Sequence, residues 1–409
     1  MRILIVSQYY YPEQFQINEI APELVKRGHE VTVLCGTPNY PKGAVFEGYE
    51  TPEGCKAKEQ EYFEKTGVRV IHVKQAPRGR NPISLLRNYW SFLRNSKKKI
   101  RQISADFDVV LGYQLSPITS MLAAVEYKKL YGKPLLYYTL DIWPVSSLGM
   151  LKSKSNPLYS IAAKISRRIY LAADKILVTS RPFIDYLAKE NGIPHQRMSY
   201  LPQHAGEEML NMNLEAEDNG ITDFMFAGNL GKGQRVDVIV KAAKELGTRS
   251  DYKIHIVGDG RMKTELEKMV AEYGLQNTFI FYGNQRREDM PSFYKMADAL
   301  LITLRGNNEV GNTMPGKLQM YMTTGKPIIG AINGAAQEVI NEAKCGHCVD
   351  AGDWRGLAQL MRDFMENHDS HSKRELGENA RIYFKQHFTF EKFMDGLCSE
   401  LQKLAEQRK

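Results

Sequence analysis

The sequence predicts a protein of two α/β domains, each built on a parallel sheet that helices cover on both faces. With 409 residues, 43% of them hydrophobic, the chain is longer than one hydrophobic core normally supports. Short, almost continuously apolar runs alternate with longer helical patterns, which is typical of strands buried on both faces. A polar stretch in the middle of the chain separates two such series. We therefore expect two doubly wound halves.

The first predicted domain occupies residues 1–203. Its first apolar run is too short for a signal peptide and lacks a small-residue cleavage site, so we interpret it as a buried strand. A helix over residues 17–27 follows, with basic residues in its last turn and Gly28 after it. The predicted strands of this domain are residues 3–7, 31–35, 68–73, 109–112, 135–140 and 176–180.

The second predicted domain occupies residues 221–385, after a polar linker at 204–220. Its ligand is expected at the carboxyl ends of the strands, where open α/β sheets bind ligands. The last helix, within residues 386–409, is expected to pack on either domain, with a return to the N-terminal domain as one alternative. The predicted strands are residues 223–227, 252–257, 279–282, 299–304, 327–330 and 348–350.

The net charge of +8 indicates an anionic partner such as a phosphate or an acidic lipid surface. Residues 72–101 contain nine Lys or Arg and no acid, which predicts a basic amphipathic helix that binds an anionic membrane surface. A solvated surface helix is the alternative. Nucleic acid is not an expected partner, because no RNA- or DNA-binding motif accompanies the charge. One face of this helix would carry Leu86, Trp90, Leu93 and Ile100, and another Arg87, Arg94, Lys98 and Arg101.

The five cysteines are too few and too scattered for a disulfide framework, so free thiols in a reducing cytoplasm are expected. The C-x-x-C run from Cys345 to Cys348 leads into a predicted strand, whereas redox centres of this kind open a helix. Zinc is not expected, because a second ligand pair is missing. No apolar stretch approaches the ~18 residues that span a bilayer, so membrane contact would be peripheral.

A glycine-rich turn after the strand at 223–227 is the first candidate anion site. It directly precedes a helical pattern, so its backbone N–H groups and one lysine would lie beside a helix start. Its glycine spacing fits neither the P-loop nor the dinucleotide-binding fingerprint. A tight strand-to-helix turn without a ligand is the alternative. The residues of this turn are Gly228, Asn229, Gly231, Lys232, Gly233 and Arg235.

Three later loops complete the predicted ligand site of the second domain. Two of them end strands and together would frame a flat base; the third opens a helix whose amides, with one lysine, make a second anion site. The base-framing residues are Gly258, Asp259, Gly260, Tyr282, Gly283 and Asn284. The anion-site residues are Thr313, Met314, Pro315, Gly316, Lys317 and Leu318.

The order of these motifs resembles glycosyltransferase family 4, the retaining enzymes of the GT-B fold. The second half carries F-A-G-N-L-G-K-G-Q, I-V-G-D-G, F-Y-G, A-D-A-L-L-I and M-P-G-K-L-Q-M-Y-M-T-T-G-K-P-I-I. In the first half, S-Q-Y-Y-Y-P-E-Q-F-Q-I-N-E-I, R-G-H-E-V-T-V-L, T-P-N-Y-P-K-G and L-D-I-W-P resemble a bacterial subgroup that builds surface polysaccharides such as O-antigen or capsule, including N-acetylfucosamine transferases. The resemblance covers nearly the whole chain and implies two Rossmann-like domains that face a central cleft.

The resemblance further implies that a sugar moves with retention from a nucleotide diphosphate, with uridine the first choice, to a lipid-linked saccharide at the inner face of the cell membrane. No metal or cofactor is expected. No protein nucleophile is expected either, because the leaving phosphate oxygen can accept the acceptor's proton. Lys232 would face the donor diphosphate. Asp141 would orient the acceptor hydroxyl, or else only cap a turn. The residues expected to face the acceptor and the transferred sugar are Gln8, Tyr9, Gln114 and Trp143.

The sequence also departs from the family pattern. Two positions that often carry glutamates hold Asn312 and Met320, while Glu309 is out of register. The subgroup's P-N-W is replaced here by P-Q-H, ending at His204, and an acid that often follows D-x-W-P is Val145. Two rival functions therefore stay open: a nucleotide-sugar epimerase of the GT-B fold, and an accessory subunit of a glycan-assembly complex that has lost its activity.

Overall fold

The computed structural model describes residues 1–41, 43–79, 81–306, 313–367 and 369–407. The chain divides into two compact units, one formed by Met1–Leu201 with Met394–Lys409 and the other by Pro202–Phe393. Each unit contains one β-sheet whose described strands all pair in parallel. The predicted fold class of two doubly wound, Rossmann-like α/β halves is confirmed.

The sheet of the first unit has seven strands. They are β1 (Arg2–Val6), β2 (Glu30–Gly36), β3 (Arg69–Val73), β4 (Val109–Gln114), β5 (Leu135–Thr139), β6 (Lys175–Val178) and β7 (Met198–Tyr200). Their order is β3-β2-β1-β4-β5-β6-β7. Since the order reverses between β1 and β4, the loops after these two strands are where this type of sheet forms a ligand crevice.

Seven helices alternate with these strands. They are α1 (Ile17–Lys26), α2 (Pro52–Thr66), α3 (Pro82–Ile100), α4 (Leu122–Tyr131), α5 (Leu148–Leu151), α6 (Pro157–Ala172) and α7 (Pro182–Asn191). Helix α3 lies within the predicted basic segment at residues 72–101. Its N-terminus is capped, because Asn81 Oδ1 accepts a hydrogen bond from the Ser84 amide at 2.8 Å.

The sheet of the second unit has six strands. They are β8 (Thr222–Ala227), β9 (Tyr252–Val257), β10 (Phe279–Gly283), β11 (Ala299–Thr303), β12 (Ile328–Ala331) and β13 (Gly346–Val349). Their order is β10-β9-β8-β11-β12-β13, so the reversal lies between β8 and β11.

Eight further helices complete the described chain. They are α8 (Asp237–Leu246), α9 (Lys263–Glu272), α10 (Met290–Met296), α11 (Gly316–Thr324), α12 (Ala335–Ala343), α13 (Trp354–Asn367), α14 (Ser370–His387) and α15 (Phe390–Glu406). Helix α15 begins in the second unit, and its residues from Met394 onward belong to the first. There, Asp395 Oδ1 accepts a hydrogen bond from Arg27 at 2.7 Å.

Burial on both faces explains why the strands are continuous apolar runs. In β8, Phe224 and Phe226 pack into the core on one side of the sheet, while Met225 and Ala227 pack into a separate core on the other. All six residues of this strand are buried. A strand with one solvated face would instead alternate apolar and polar residues.

The C-x-x-C run lies in and beside a strand, as the sequence predicts. Cys348 is part of β13, and Cys345 is buried directly before it. Burial raises the pKa of each of these thiols to about 12, so both are held in the unreactive thiol form. None of the five cysteines forms a disulfide.

Candidate functional site

The ends of β8, β9 and β10 meet at three glycines, Gly228, Gly258 and Gly283. The Gly228 amide donates to the Val257 carbonyl at 2.8 Å, and the Gly258 amide donates to the Gly283 carbonyl at 2.8 Å. A Cβ atom on Gly258 would lie 2.0 Å from the Gly228 carbonyl oxygen, and both residues have positive φ, 135° and 142°. The three loops are therefore tied together at the carboxyl edge of the sheet.

The ammonium group of Lys317, in the first turn of α11, lies beside the end of β8 and the turn that follows it. Its Nζ donates to Gln234 Oε1 at 2.8 Å and lies 3.5 Å from the centroid of the Phe226 ring. This side chain passes close to the turn after β8, since a Cβ on Gly228 would lie 2.8 Å from Lys317 Cε. Burial lowers the pKa of Lys317 to about 7. A basic side chain with neutral neighbours thus lies beside the point where the strand order reverses, between β8 and β11.

The turn after β8 holds the other predicted cations of the site. Lys232 is exposed, and among the described residues its ammonium group has no hydrogen-bond or ion-pair partner. Arg235 is already engaged, because its Nε donates to Asp237 Oδ1 at 2.8 Å and its Nη2 to Asp237 Oδ2 at 3.1 Å. Lys232 is therefore the side chain of this turn that is free to meet a ligand anion.

The N-terminus of α11 supplies backbone groups next to Lys317. Pro315 precedes the helix, and its side chain makes no capping hydrogen bond. The Leu318 amide donates to the Pro315 carbonyl at 2.9 Å, while the Leu318 side chain is buried in the core. The positive end of a nine-residue helix therefore lies at the same edge as the Lys317 ammonium group.

In the first unit, the residues after β1 form a buried polar and aromatic cluster. Gln8 Nε2 donates to Asn88 Oδ1 at 3.0 Å, and Arg78 Nη1 donates to the Tyr9 hydroxyl at 2.6 Å. The Tyr9 ring stacks on Phe15 with centroids 5.4 Å apart. Burial raises the pKa of the Tyr9 hydroxyl, so it remains protonated and can also donate a hydrogen bond.

Glu13 fixes the two loops of this cluster. Its Oε1 accepts hydrogen bonds from the amides of Asn39 and Tyr40, both at 2.7 Å, and its Oε2 accepts one from the Tyr10 amide at 3.2 Å. The side chain is 1% exposed, and burial raises its pKa to about 7 despite these three donors. Its carboxylate oxygens therefore join the loop after β1 to the loop after β2.

Asp141, after β5, accepts hydrogen bonds from two serine hydroxyls. Ser116 Oγ donates to Oδ2 and Ser146 Oγ donates to Oδ1. Trp143 Nε1 in turn donates to Ser116 Oγ at 2.9 Å, and Gln114 Nε2 donates to the Asp141 carbonyl at 2.9 Å. The structure thus brings together the predicted residues Gln114, Asp141 and Trp143 at the ends of β4 and β5.

Two family models match the two halves of the chain. Residues 15–203 match the family described as Glycosyltransferase Family 4, and residues 212–383 match the family described as Glycosyl transferases group 1. A relative in Escherichia coli (strain K12), named as a colanic acid biosynthesis glycosyl transferase, WcaI, is 26% identical over 350 residues, covering 80% of this chain and 82% of that protein. The chain is a glycosyltransferase.

Solved structures have the same fold as this glycosyltransferase. A glycosyltransferase from Rickettsia africae matches with a TM-score of 0.69 and 15% identity, over 98% of each chain. The Anabaena protein Alr3699/HepE, solved in complex with UDP, matches with a TM-score of 0.69 and 14% identity, over 98% of this chain and all of that one. At these identities the likeness establishes the GT-B fold alone.

Some predicted donor residues of the glycosyltransferase are directed elsewhere. The Tyr282 hydroxyl lies 2.8 Å from Nδ1 of His255, whose Nε2 lies 2.7 Å from Asp223 Oδ1. The Tyr282 ring therefore stacks on His255 and packs against the core rather than standing free at the strand end. Asp259 Oδ1 accepts a hydrogen bond from the Gly260 amide at 2.6 Å and so stabilises its own loop, while the side chain of Asn284 is exposed.

Of the two positions at which the family often has glutamates, Asn312 and Met320, the structure describes only Met320. Met320 lies in α11 and packs, partly buried, against the core. Asn312 and Glu309 lie outside the described residues. His204, the last residue of the P-Q-H that replaces P-N-W, is 5% exposed, and its ring centroid lies 4.7 Å from that of Phe390.

The predicted basic helix is present as α3, and the apolar residues that the sequence groups on one face differ in burial. Its buried residues are Asn88, Phe92, Ser96 and Ile100. Of the apolar face that the sequence predicts, Leu86 and Trp90 are 54% and 59% exposed, while Ile100 is buried. Polar Asn88 and Ser96 can be buried because each donates a hydrogen bond, Asn88 to the Ala76 carbonyl and Ser96 to the Leu93 carbonyl of its own helix.

The exposed surface of α3 therefore carries both apolar and basic side chains. Ile83, Leu86 and Trp90 are exposed together with Arg87, Arg94 and Lys98. Arg94 lies over the Trp90 ring at 5.5 Å. Arg101, which the sequence places with these basic residues, instead pairs with Glu126 of α4 at 2.7 Å. In the described part of the glycosyltransferase, no helix combines the length and the apolar composition needed to cross a bilayer.

Several residues of these clusters were not singled out from the sequence. Gln234, Glu13, Arg78 and His255 are polar residues whose positions depend on which loops the sheet brings together. For His255 the sequence does hold an indication, since a histidine within an otherwise apolar buried strand requires a partner. For Arg78 and Gln234 no local pattern reveals the partner.

Proposed function

We propose that this glycosyltransferase moves a sugar from a uridine diphosphate sugar to a lipid-linked saccharide in the biosynthesis of a bacterial surface polysaccharide. The name of the Escherichia coli relative supports the polysaccharide, and the UDP bound by the structurally similar Anabaena protein supports the donor. N-acetylfucosamine or another N-acetylhexosamine is the sugar that we propose, from the motifs of the first half. The second unit would hold the donor and the first unit the acceptor.

The observation that carries the proposal is the position of the Lys317 ammonium group. It lies where the strand order of the second sheet reverses, next to the N-terminus of α11, which no side chain caps. Its hydrogen-bond partner Gln234 is neutral. In this type of sheet, ligands bind beside the reversal, and a helix N-terminus favours anions. Exposed Lys232 supplies a second cation on the adjoining turn. A diphosphate is the ligand that such a combination suits.

These groups also suit the chemistry of the transfer. As the bond between the anomeric carbon and the phosphate oxygen breaks, negative charge grows on the departing diphosphate, and positioned cations and amides stabilise it. The acceptor oxygen forms its bond to the same face of the sugar, and its proton passes to the departing phosphate oxygen. We assign Lys232, Lys317 and the α11 amides to the diphosphate. Because they supply the positive charge, we propose that no metal is required.

On the acceptor side, we assign a positioning role to Asp141. Its carboxylate is held by Ser116 and Ser146 at the carboxyl edge of the first sheet, which fixes its direction without a cation. A carboxylate in such a place can accept a hydrogen bond from the acceptor hydroxyl as that group approaches the sugar. Gln114 and Trp143 share this cluster and would contact the same acceptor.

We further propose that the protein binds the inner face of the cell membrane through α3. The exposed row of Ile83, Leu86 and Trp90 would enter the headgroup region, while Arg87, Arg94 and Lys98 would bind anionic lipids. Such a position would bring the first unit close to a lipid-linked acceptor. A solvated surface helix would not need three exposed large apolar residues.

Nucleotide binding tests the donor assignment. We expect UDP to raise the melting temperature of the purified protein, because a ligand that binds only the folded state stabilises it. GDP should produce a smaller rise at equal concentration. Lys317→Met should abolish the effect of UDP, whereas the exposed control Lys268→Met should keep it. If neither nucleotide shifts the melting temperature of the wild-type protein, the donor proposal fails.

A further inference from the structure

Arg78 is a half-buried cation that no carboxylate neutralises within the described residues. Its guanidinium group donates from Nη1 to the hydroxyl groups of Tyr9, at 2.6 Å, and Tyr89, at 3.4 Å. It also lies over three aromatic rings, with Cζ 5.3 Å from the Tyr40 centroid, 5.8 Å from Tyr89 and 6.0 Å from Tyr9. No ion pair to Arg78 occurs in the part of the chain that the structure describes.

The nearest acid does not fill that role. The oxygens of Glu13 are taken by three backbone amides, and this carboxylate acts on Arg78 only at a distance. Removing a cation from water without an anion is unfavourable, so a half-buried arginine normally has such a partner. Two partly buried arginines have such a partner, in the pairs Arg27–Asp395 (2.7 Å) and Arg235–Asp237 (2.8 Å). Arg381 instead donates to three backbone carbonyls, whereas the Arg78 guanidinium group has only the two tyrosine hydroxyls among the described residues.

The surroundings of Arg78 are those of a saccharide site. The rings of Phe15 and Tyr40 are partly exposed, with centroids 5.3 Å apart, and offer flat apolar faces. Gln8 and Gln75 are 1% and 3% exposed, yet Gln8 Oε1 and both polar atoms of the Gln75 side chain have no hydrogen-bond partner among the described residues. Buried polar groups of this kind are normally hydrogen-bonded, so these two amides make the inner wall of the cluster polar beneath the aromatic rings.

We infer that Arg78 binds an oxyanion of the acceptor, so that the glycosyltransferase takes acceptors with a carboxylate or a phosphate beside the receiving sugar. The inference rests on the proposed function, which places the acceptor on the first unit. A uronic acid would supply a carboxylate, and the lipid linkage would supply a phosphate. The planar guanidinium group suits either, because it can bind two oxygens at once.

The position of α3 is consistent with the lipid phosphate as one source. Asn88 and Tyr89 contribute to the Arg78 cluster, while Leu86 and Trp90 of the same helix are exposed. One helix thus presents one side to the oxyanion site and another to the proposed lipid surface. The charged group of a lipid-linked saccharide lies between its lipid and its sugar, which matches this arrangement.

Matched small ligands test the inference without relying on catalysis. Saturating UDP occupies the proposed donor site, and the melting temperature is then measured with two ligand pairs. Methyl glucuronide against methyl glucoside tests a carboxylate, and N-acetylglucosamine 1-phosphate against N-acetylglucosamine tests a phosphate. We expect the charged member of at least one pair to raise the melting temperature more than its neutral partner does, and that pair identifies the source of the oxyanion.

Variants then assign the effect to Arg78. Arg78→Gln should lose the difference between charged and neutral ligands but keep the response to UDP, while Arg355→Gln, at an arginine stacked on Trp354 at 4.7 Å, should behave as wild type. With a transferable acceptor, Arg78→Gln should raise the KM for the charged form at least about 10-fold, as the loss of a hydrogen bond to a charged group predicts, with little change for a neutral one.

The inference is overturned if charged and neutral ligands act equally on the wild-type protein, a result that needs no variant to fold. It is also overturned if Arg78→Gln keeps the preference for the charged ligand. Failure of the proposed function has a different signature, because UDP then leaves the melting temperature of every variant unchanged.

Discussion

Lys317 carries a positive charge in surroundings that oppose it. Its ammonium group has a neutral amide and an aromatic ring as neighbours, and burial brings its pKa from the ordinary 10.5 to about 7. The folded protein therefore holds the charged form less favourably than the unfolded chain does. A residue that costs stability in this way is expected where an anionic ligand restores the balance.

Replacing Lys317 should consequently change stability and binding in opposite directions. Below about pH 7 the lysine is charged in both states and the folded protein bears the full penalty, which disappears as the pH rises toward 10.5. Lys317→Met should therefore melt at a higher temperature than wild type near pH 7, and the difference should shrink at alkaline pH. The same variant should bind a UDP-sugar at least about 10-fold more weakly by calorimetry. A variant with lower stability and unchanged affinity would contradict this role.

Glu13 has the complementary behaviour, because burial raises the pKa of an acid. Its pKa of about 7 exceeds the ordinary 4.5, so its protonated form stabilises the folded state fully below pH 4.5. That stabilisation is lost as the pH rises through about 7. We expect the melting temperature of wild type to fall across this window relative to that of Glu13→Gln, measured by scanning calorimetry. Parallel curves for the two proteins would show that Glu13 does not titrate there.

Single residues also mark the limit of sequence-based prediction. Gly228, Lys317 and the strand ends could be located from a turn between a strand and a helix. The partner Gln234 could not, because its contact with Lys317 joins loops 83 positions apart. Tyr282 lay at the predicted strand end, yet a histidine on the neighbouring strand decides which way its ring points.

Helix α3 could be predicted as an element, but the side that packs on its domain could not. Its basic charge followed from the sequence, but its packed side did not, because Asn88 and Ser96 are buried while Leu86 and Trp90 are exposed. The spacing of apolar residues identifies the buried side of a helix only when the polar residues of that helix are exposed. The short strand β7 was missed for a related reason, since only Met198 of its three residues is buried.

The exposed face of α3 predicts a measurable affinity for anionic lipid. Each basic residue near such a surface contributes about 1 kcal/mol, so losing three should weaken binding by roughly 100-fold. We expect Arg87→Glu, Arg94→Glu and Lys98→Glu together to abolish cosedimentation with vesicles that contain phosphatidylglycerol. Trp90→Ala alone should weaken it through the lost apolar contact.

A control of equal charge separates a docking surface from a general effect of net charge. Lys268, Lys385 and Lys392 are exposed elsewhere on the chain, and their combined change to glutamate alters the net charge equally. This control should still bind the vesicles. If both triple variants lose binding to the same extent, α3 is a solvated helix and the membrane proposal fails.

At the scale of the whole molecule, the two parallel sheets were predictable because burial on both faces leaves a continuous apolar run for each long strand. The reversal of strand order in each sheet then places the loops after β1 and β4, and after β8 and β11, at the edges where ligands bind. The paths of these loops arise from contacts far apart in sequence, such as Glu13 with Asn39. The sequence therefore predicts which strand ends carry candidate site residues, but not which side chains those loops bring into contact.

Acceptor-dependent transfer from a UDP-sugar distinguishes a sugar transferase from an epimerase and from an inactive accessory subunit. Purified protein is given a panel of UDP-sugars with a lipid-linked saccharide, and the elongated product is detected by mass spectrometry with EDTA present. We predict elongation by one sugar, and a loss of about 100-fold or more in turnover for Lys232→Ala, as for removal of one group that stabilises a developing anion. If no sugar is transferred, if Lys232→Ala turns over normally, or if the UDP-sugar is only epimerised without acceptor, the account is contradicted.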